Sequence, residues 1–209
     1  MRIGVYGGTF NPVHYGHLRT ALEVGEHFNL DQLRMIPCHL PAHRPAPDVA
    51  GDMRMAMLQL ALVDTPGLQA DGRELDRGGA SYMVETLQSL LEEHPGATLL
   101  LFVGLDAFAG LESWYQWQRL FEFAHVVVMT RPACELPALS EFFRLRCCED
   151  KRQLLKSRAG QLYFQSVTAL DISATLIREL IAAGRNPQFL LPDAVIRYIR
   201  LHHLYFAST

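Results

Sequence analysis

Apolar positions along the chain switch between two habits, short continuous runs and stripes spaced three to four residues apart. The first run, Met1 to Val5, leads into a glycine-rich break. Gly16 to Phe28 follows, with Leu18, Ala21, Leu22 and Gly25 on one helical face. Runs at Gln32–Pro37, Leu68–Leu75, Ala97–Val103, His125–Thr130 and Gln161–Gln165 predict further strands. Stripes at Arg54–Leu62, Ser81–Glu93, Ser173–Ala183 and Asp193–His203 predict helices. Ala97–Val103 is apolar throughout, as expected of a central parallel strand covered on both faces. The alternation predicts an α/β fold, an open parallel Rossmann-like sheet with helices on both faces, in one domain over residues 1–209. In such sheets ligands bind at strand-to-helix turns on the carboxyl edge.

The first of those turns, Tyr6 to His17, reads YGGTFNPVHYGH. Gly7 and Gly8 lack a Cβ, so the backbone is free to take unusual dihedrals and to lie against a ligand. Free N–H groups at the following helix start, with its positive dipole end, favour an anion. Pro12 removes one donor and stiffens the turn. His14 and His17 are three residues apart and share a face if the first helical turn begins near His14. Two imidazoles and several amides converging on one point suit a phosphate whose charge grows during reaction. No G-x-x-x-x-G-K-[ST] or G-x-G-x-x-G competes for the assignment.

Later stretches offer further chemistry, each with a plain structural reading beside it. Pro37 to Pro47 is a proline-punctuated basic loop carrying Cys38, His39, His43 and Arg44; a surface loop, a phosphate contact and a zinc site all fit its composition. Ser81 reads as the N-cap of the helix that follows, a position that also favours a carboxylate. Asp106, after the central strand, either caps a helix or accepts from ribose hydroxyls. Both tryptophans, Trp114 and Trp117, lie within four positions, one expected in the core and one free to stack on a heteroaromatic ring. Asp171 to Arg178, DISATLIR, reads as a helix capped by Ser173, with the amides of Ala174 to Leu176 free for phosphate oxygens. Thr175 adds a hydroxyl there and Arg178 a guanidinium able to fork onto phosphate.

Composition narrows the partners. Nineteen basic against 22 acidic residues give a net charge of −3, which argues against nucleic-acid or membrane-surface binding. The start MRIG is not read as a signal peptide, and the longest apolar run is too short to span a bilayer. Four cysteines without a C-x-x-C pair suit a reduced, cytoplasmic protein. Homo-oligomerisation stays open.

The G-G-T-F-x-P-x-H-x-G-H stretch, with I-S-x-T-x-[IL]-R near the other end, resembles the two signatures of the H-x-G-H nucleotidyltransferase superfamily. Within it the chain is most similar to the bacterial nicotinate-mononucleotide adenylyltransferases. That resemblance implies AMP transfer from ATP to nicotinate mononucleotide, giving deamido-NAD and pyrophosphate, with Mg²⁺ accompanying the ATP. It implies ATP contacts from Gly7, Gly8, Thr9, Phe10, His14, His17, Gly104, Asp106, Ile172, Ser173, Thr175 and Arg178. His14, His17 and Arg178 would be catalytic, and no protein-held metal is implied. The acceptor would be met by Ser81, Tyr82, Met83, Trp114 and Tyr115 at its ring and carboxylate, and by His43, Arg44 and Arg131 at its phosphate. Three positions depart from the usual pattern: Asn11 for Asp, Met83 for Thr and Ala174 for Ser. Pantetheine-phosphate adenylyltransferase, a cytidylyltransferase, and a non-catalytic nucleotide-binding regulator are the alternatives.

Overall fold

The computed structural model describes residues 1–41, 45–132, 136–168 and 170–207. Eight strands, ten α-helices and two short 3₁₀ helices are described. The strands are β1 (Arg2–Gly8), β2 (Gln32–Pro37), β3 (Leu40–Pro41), β4 (Leu68–Ala70), β5 (Ala80–Ser81), β6 (Thr98–Gly104), β7 (His125–Thr130) and β8 (Leu162–Ser166). Helices α1 (Tyr15–Phe28), α2 (Gly51–Leu62), α3 (Arg73–Arg77), α4 (Met83–Glu93) and α5 (Leu105–Ala109) occupy the first half. The second half holds α6 (Leu120–Phe123), α7 (Glu141–Arg144), α8 (Lys151–Leu154), α9 (Ala174–Ala182) and α10 (Asp193–Leu201). Six strands form one sheet in the order β4-β2-β1-β6-β7-β8, every pair parallel. The expected Rossmann-like α/β sheet is therefore present. Its order runs outward from β1 in both directions, so the crevice between β1 and β6 is the topological switch point where such folds bind ligands.

Alternation along the strands divides the core into two faces. Leu33, Met35, Leu100, Phe102, Val127 and Met129 point toward α1, α2, α9 and α10, packing with Phe28, Met57, Ile177 and Val195. Ile3, Val5, Leu99, Leu101, Val126 and Val128 point the other way, against Val84, Leu87 and Leu90 of α4 and the Phe108, Phe121 and Phe143 rings. Period-two side-chain direction on strands buried from both sides makes them read as unbroken apolar runs. The C-terminal helices α9 and α10 thus share the core behind α1.

Three expected elements differ from those found. β1 runs on through Gly7 and Gly8, which pair with Ile36 and Pro37 in extended backbone rather than opening the turn. The Leu68–Leu75 strand stops at Ala70. Asp71 turns the chain by accepting from the Arg73 N–H at 3.0 Å and gripping the Arg73 guanidinium, and α3 follows. Ser81 is not an N-cap: that position falls to Tyr82, and the Ser81 hydroxyl accepts from the His39 N–H across the β3–β5 pair at 2.8 Å.

Candidate active site

The turn after β1 is built around a pair of stacked imidazoles. His14 is the residue before α1 and His17 lies in its first turn, their centroids 3.7 Å apart and their planes 29° from parallel. His17 Nδ1 accepts from the His14 backbone N–H at 3.4 Å, so the neutral ring carries its proton on Nε2. Phe10 and Tyr6 meet the His17 ring edgewise at 5.1 and 6.4 Å, and His14 Nδ1 is buried without a partner. Burial lowers the pKa of His14 to about 4; burial and the neighbouring imidazole lower that of His17 to about 3. Both rings are therefore neutral at pH 7.

The two glycines serve packing rather than unusual dihedrals. A Cβ on Gly7 would stand 2.6 Å from the Met83 methyl, and one on Gly8 2.9 Å from the Phe10 ring. The left-handed backbone falls instead on Phe10, φ +47°, whose side chain is buried beneath His17. Phe10 as a whole is only 1% exposed.

The second motif adjoins the first. Ser173 caps α9, its Oγ accepting from the Leu176 N–H at 3.1 Å, so that amide is taken while those of Ala174 and Thr175 stay free of the cap. Arg178 turns back to the β1 turn: Nη1 donates to the Asn11 carbonyl at 2.8 Å and Nη2 to Thr175 Oγ1 at 3.3 Å. A Cβ on Gly16 would lie 3.4 Å from the Ile172 carbonyl, a measure of how closely the two helix starts approach. Asn11, only 7% exposed, is held from a third side, its Oδ1 accepting from Tyr205 Oη at 2.6 Å.

At the switch point lies a cavity of about 340 Å³, walled by Gly7, Gly8 and Thr9 of the turn, Cys38, Ser81, Met83, Gly104, Asp106 and Trp114. His14, His17 and the α9 start do not line it. They gather on the α1/α9 face, with the end of β1 between the two. Asp106 is exposed at the start of α5. Both tryptophans are half-buried against the same core cluster; Trp114 lines the cavity, whereas Trp117 does not and packs on Phe142 and Phe143 at 4.7 and 5.3 Å. The Tyr82 and Tyr115 rings meet tilted by 39° at 4.5 Å, and neither lines the cavity. Arg131 is exposed beyond β7 and apart from the cavity, and His43 and Arg44 lie outside the described residues. His39 contacts the Gly79 carbonyl at 2.9 Å, and among the described residues no three His, Cys, Asp or Glu converge to hold a metal ion.

Three residues of the site escape sequence reasoning. Arg54 sits on the buried face of α2 beside Met57 and Leu58, a charge on an apolar stripe that is legible as an anomaly. Glu74, buried on the cavity wall, accepts from Thr86 Oγ1 at 2.6 Å, and burial raises its carboxyl pKa; the expected strand there concealed it. Tyr205 carries no signal in its local sequence.

A parallel sheet wound outward from β1, with this cavity at its switch point, is a doubly wound, Rossmann-like α/β fold. The chain belongs to the cytidylyltransferase-like family, whose description matches residues 5–180. It is 48% identical to a Methylococcus capsulatus protein named "Probable nicotinate-nucleotide adenylyltransferase", covering 97% of this chain and 99% of that one. A Pseudomonas aeruginosa PAO1 protein of the same name is 43% identical over 99% of this chain and 98% of its own length. The Plasmodium falciparum nicotinic acid mononucleotide adenylyltransferase complexed with NaAD shares the fold, with a TM-score of 0.73 at 16% identity, covering 98% of this chain and 97% of that one.

Proposed function

We propose that this protein transfers the adenylyl group of ATP to nicotinate mononucleotide, forming deamido-NAD and releasing pyrophosphate, as a step of NAD biosynthesis. The observation that carries the reading is the near-full-length 48% identity to a relative of that name. The geometry supports it: an aromatic-walled cavity stands on one side of Gly7–Thr9 and the imidazole–guanidinium set on the other.

In this reading a phosphate oxygen of the acceptor attacks the α-phosphorus of ATP, and the bond to the bridging oxygen breaks as pyrophosphate leaves. His14 and His17 donate to the α-phosphate as charge builds, and the free amides of Ala174 and Thr175, with Arg178, hold the β- and γ-phosphates. Thr9, Gly104 and Asp106 meet the nucleoside. Trp114 stacks on the pyridine, with Tyr82, Tyr115 and the amide of Met83 toward its carboxylate, while Arg131, His43 and Arg44 serve the acceptor phosphate. Mg²⁺ enters as part of the substrate, on the triphosphate oxygens. The chain acts as one unit whose C-terminal part, about 173–209, supplies the second phosphate motif. A reducing compartment such as the cytoplasm suits its free Cys38, Cys147 and Cys148.

An acceptor panel scored for pyrophosphate release tests this reading. Nicotinate mononucleotide should be used in preference to its amide. Release only with phosphopantetheine or only with CTP would move the protein to a sibling activity, and no release with any acceptor would make it a binding protein.

A further inference from the structure

Arg54 is 1% exposed, and among the described residues no carboxylate stands within ion-pair distance of it. Its guanidinium is spent on backbone carbonyls. Nη1 donates to Thr9 at 2.7 Å, Nη2 to Cys38 at 2.7 Å and more loosely to His39 at 3.5 Å, and Nε to Val49 at 3.1 Å. A buried charge without a counter-charge is an expensive way to fill a core position. The partners point to what the charge is for. Thr9 leaves β1 toward the imidazole pair, Cys38 leaves β2 toward the other wall, and both line the cavity. Among the described residues, these two segments share no backbone hydrogen bond beyond Cys38 N–H to the Gly8 carbonyl, at 3.0 Å. Apart from a long Cys38 Sγ–H to Thr9 Oγ1 contact at 3.9 Å, the rigid planar fork is what joins them, with two short bonds of fixed geometry.

We infer that Arg54 is a positioning residue that holds the β1 turn and the loop after β2 at the spacing in which the two substrates meet. The inference rests on the adenylyl-transfer reading. Each wall stays intact without Arg54, so each substrate still binds; what is lost is the alignment of attacking oxygen with phosphorus. Misplacement of about 1 Å in such a reaction costs on the order of 10²-fold in rate.

The test is Arg54→Lys and Arg54→Met in the full chain, with whichever acceptor the wild type adenylylates. Lys keeps the charge but not the fork. The expected result is kcat lowered on the order of 10²-fold in both variants. Both KM values should stay within about threefold of wild type, because uniform binding is untouched. Calorimetric stoichiometry for a non-hydrolysable ATP analogue should also stay unchanged. Wild-type kcat in Arg54→Lys would overturn the inference, as would a fall in kcat matched by an equal fall in binding stoichiometry. Failure of both variants to fold would also overturn it, by making Arg54 a determinant of the fold alone. A wild type that uses no acceptor sinks the functional reading instead, so the two failures are told apart.

Discussion

Tyr205 lies almost two hundred residues from the turn it touches, and removing its single oxygen should be felt there. In Tyr205→Phe the ring remains and the 2.6 Å hydrogen bond to Asn11 Oδ1 is lost. Burial raises the pKa of the phenol, so it is a neutral donor at every working pH, and no charge is removed with it. The cost comes from the partner. Asn11 is buried, and an acceptor there left without a donor costs about 1–3 kcal/mol. For a chain of 209 residues, at about 2–4 °C per kcal/mol, that is a fall in Tm of about 2–12 °C. Asn11 also presents to Arg178 the carbonyl that aims its guanidinium, so loosening this turn should lower kcat/KM for ATP by roughly tenfold, the equivalent of about 1.4 kcal/mol. Thermal unfolding and initial rates at varied ATP measure both effects. A cycle with Asn11→Ala should be markedly non-additive, because the two changes remove the same bond. Asn11→Asp keeps the acceptor and should retain both Tm and activity. A Tyr205→Phe protein within about 1 °C of wild type and with unchanged kcat/KM for ATP would refute the argument, since an unsatisfied buried acceptor cannot be that cheap.

His17→Ala should lower kcat by roughly 10²–10³-fold, the usual cost of one preorganised donor to developing charge, and near wild-type turnover would remove His17 from the chemistry. Trp114→Ala should weaken acceptor binding while leaving ATP binding in place; equal loss of both by calorimetry would make Trp114 a packing residue. Acid should destabilise the free protein through the imidazole pair. Both folded-state pKa values lie below the ordinary 6.5, so the unfolded chain binds more protons as pH falls. The contribution is fully present above about pH 6.5 and is lost toward pH 4 to 3, at roughly 1.4 kcal/mol for each tenfold difference in proton affinity between the unfolded and folded rings. Urea midpoints between pH 4 and 7 should show that slope, and the double variant His14→Asn, His17→Asn should flatten it; an unchanged slope would place the acid sensitivity elsewhere.

Much of the fold could be read along the chain because its strands are buried on both faces. Apolar continuity at β6 and β7 and the stripes of α1, α4, α9 and α10 follow from packing demands that act residue by residue. What escaped was decided by partners. Leu68–Leu75 has the composition of a strand, but Asp71 recruits Arg73 and turns the chain into α3. Ser81 is an ordinary capping residue by type, yet its hydroxyl is taken by the loop after β2. Leu176 has a free amide in an uncapped helix and a spent one here, because Ser173 reaches it.

The local sequence by itself determined the strand–turn–helix unit that carries His14 and His17 and the capped helix that carries Arg178, since spacing and caps act within a few residues of one another. Only the tertiary structure decided that Arg178 and Tyr205 both fasten Asn11, that Arg54 ties the turn to the next strand's loop, and that Trp114 rather than Trp117 faces the cavity. Those are contacts between groups far apart in the chain, and a buried polar atom takes whichever partner the packing of the whole sheet brings within reach.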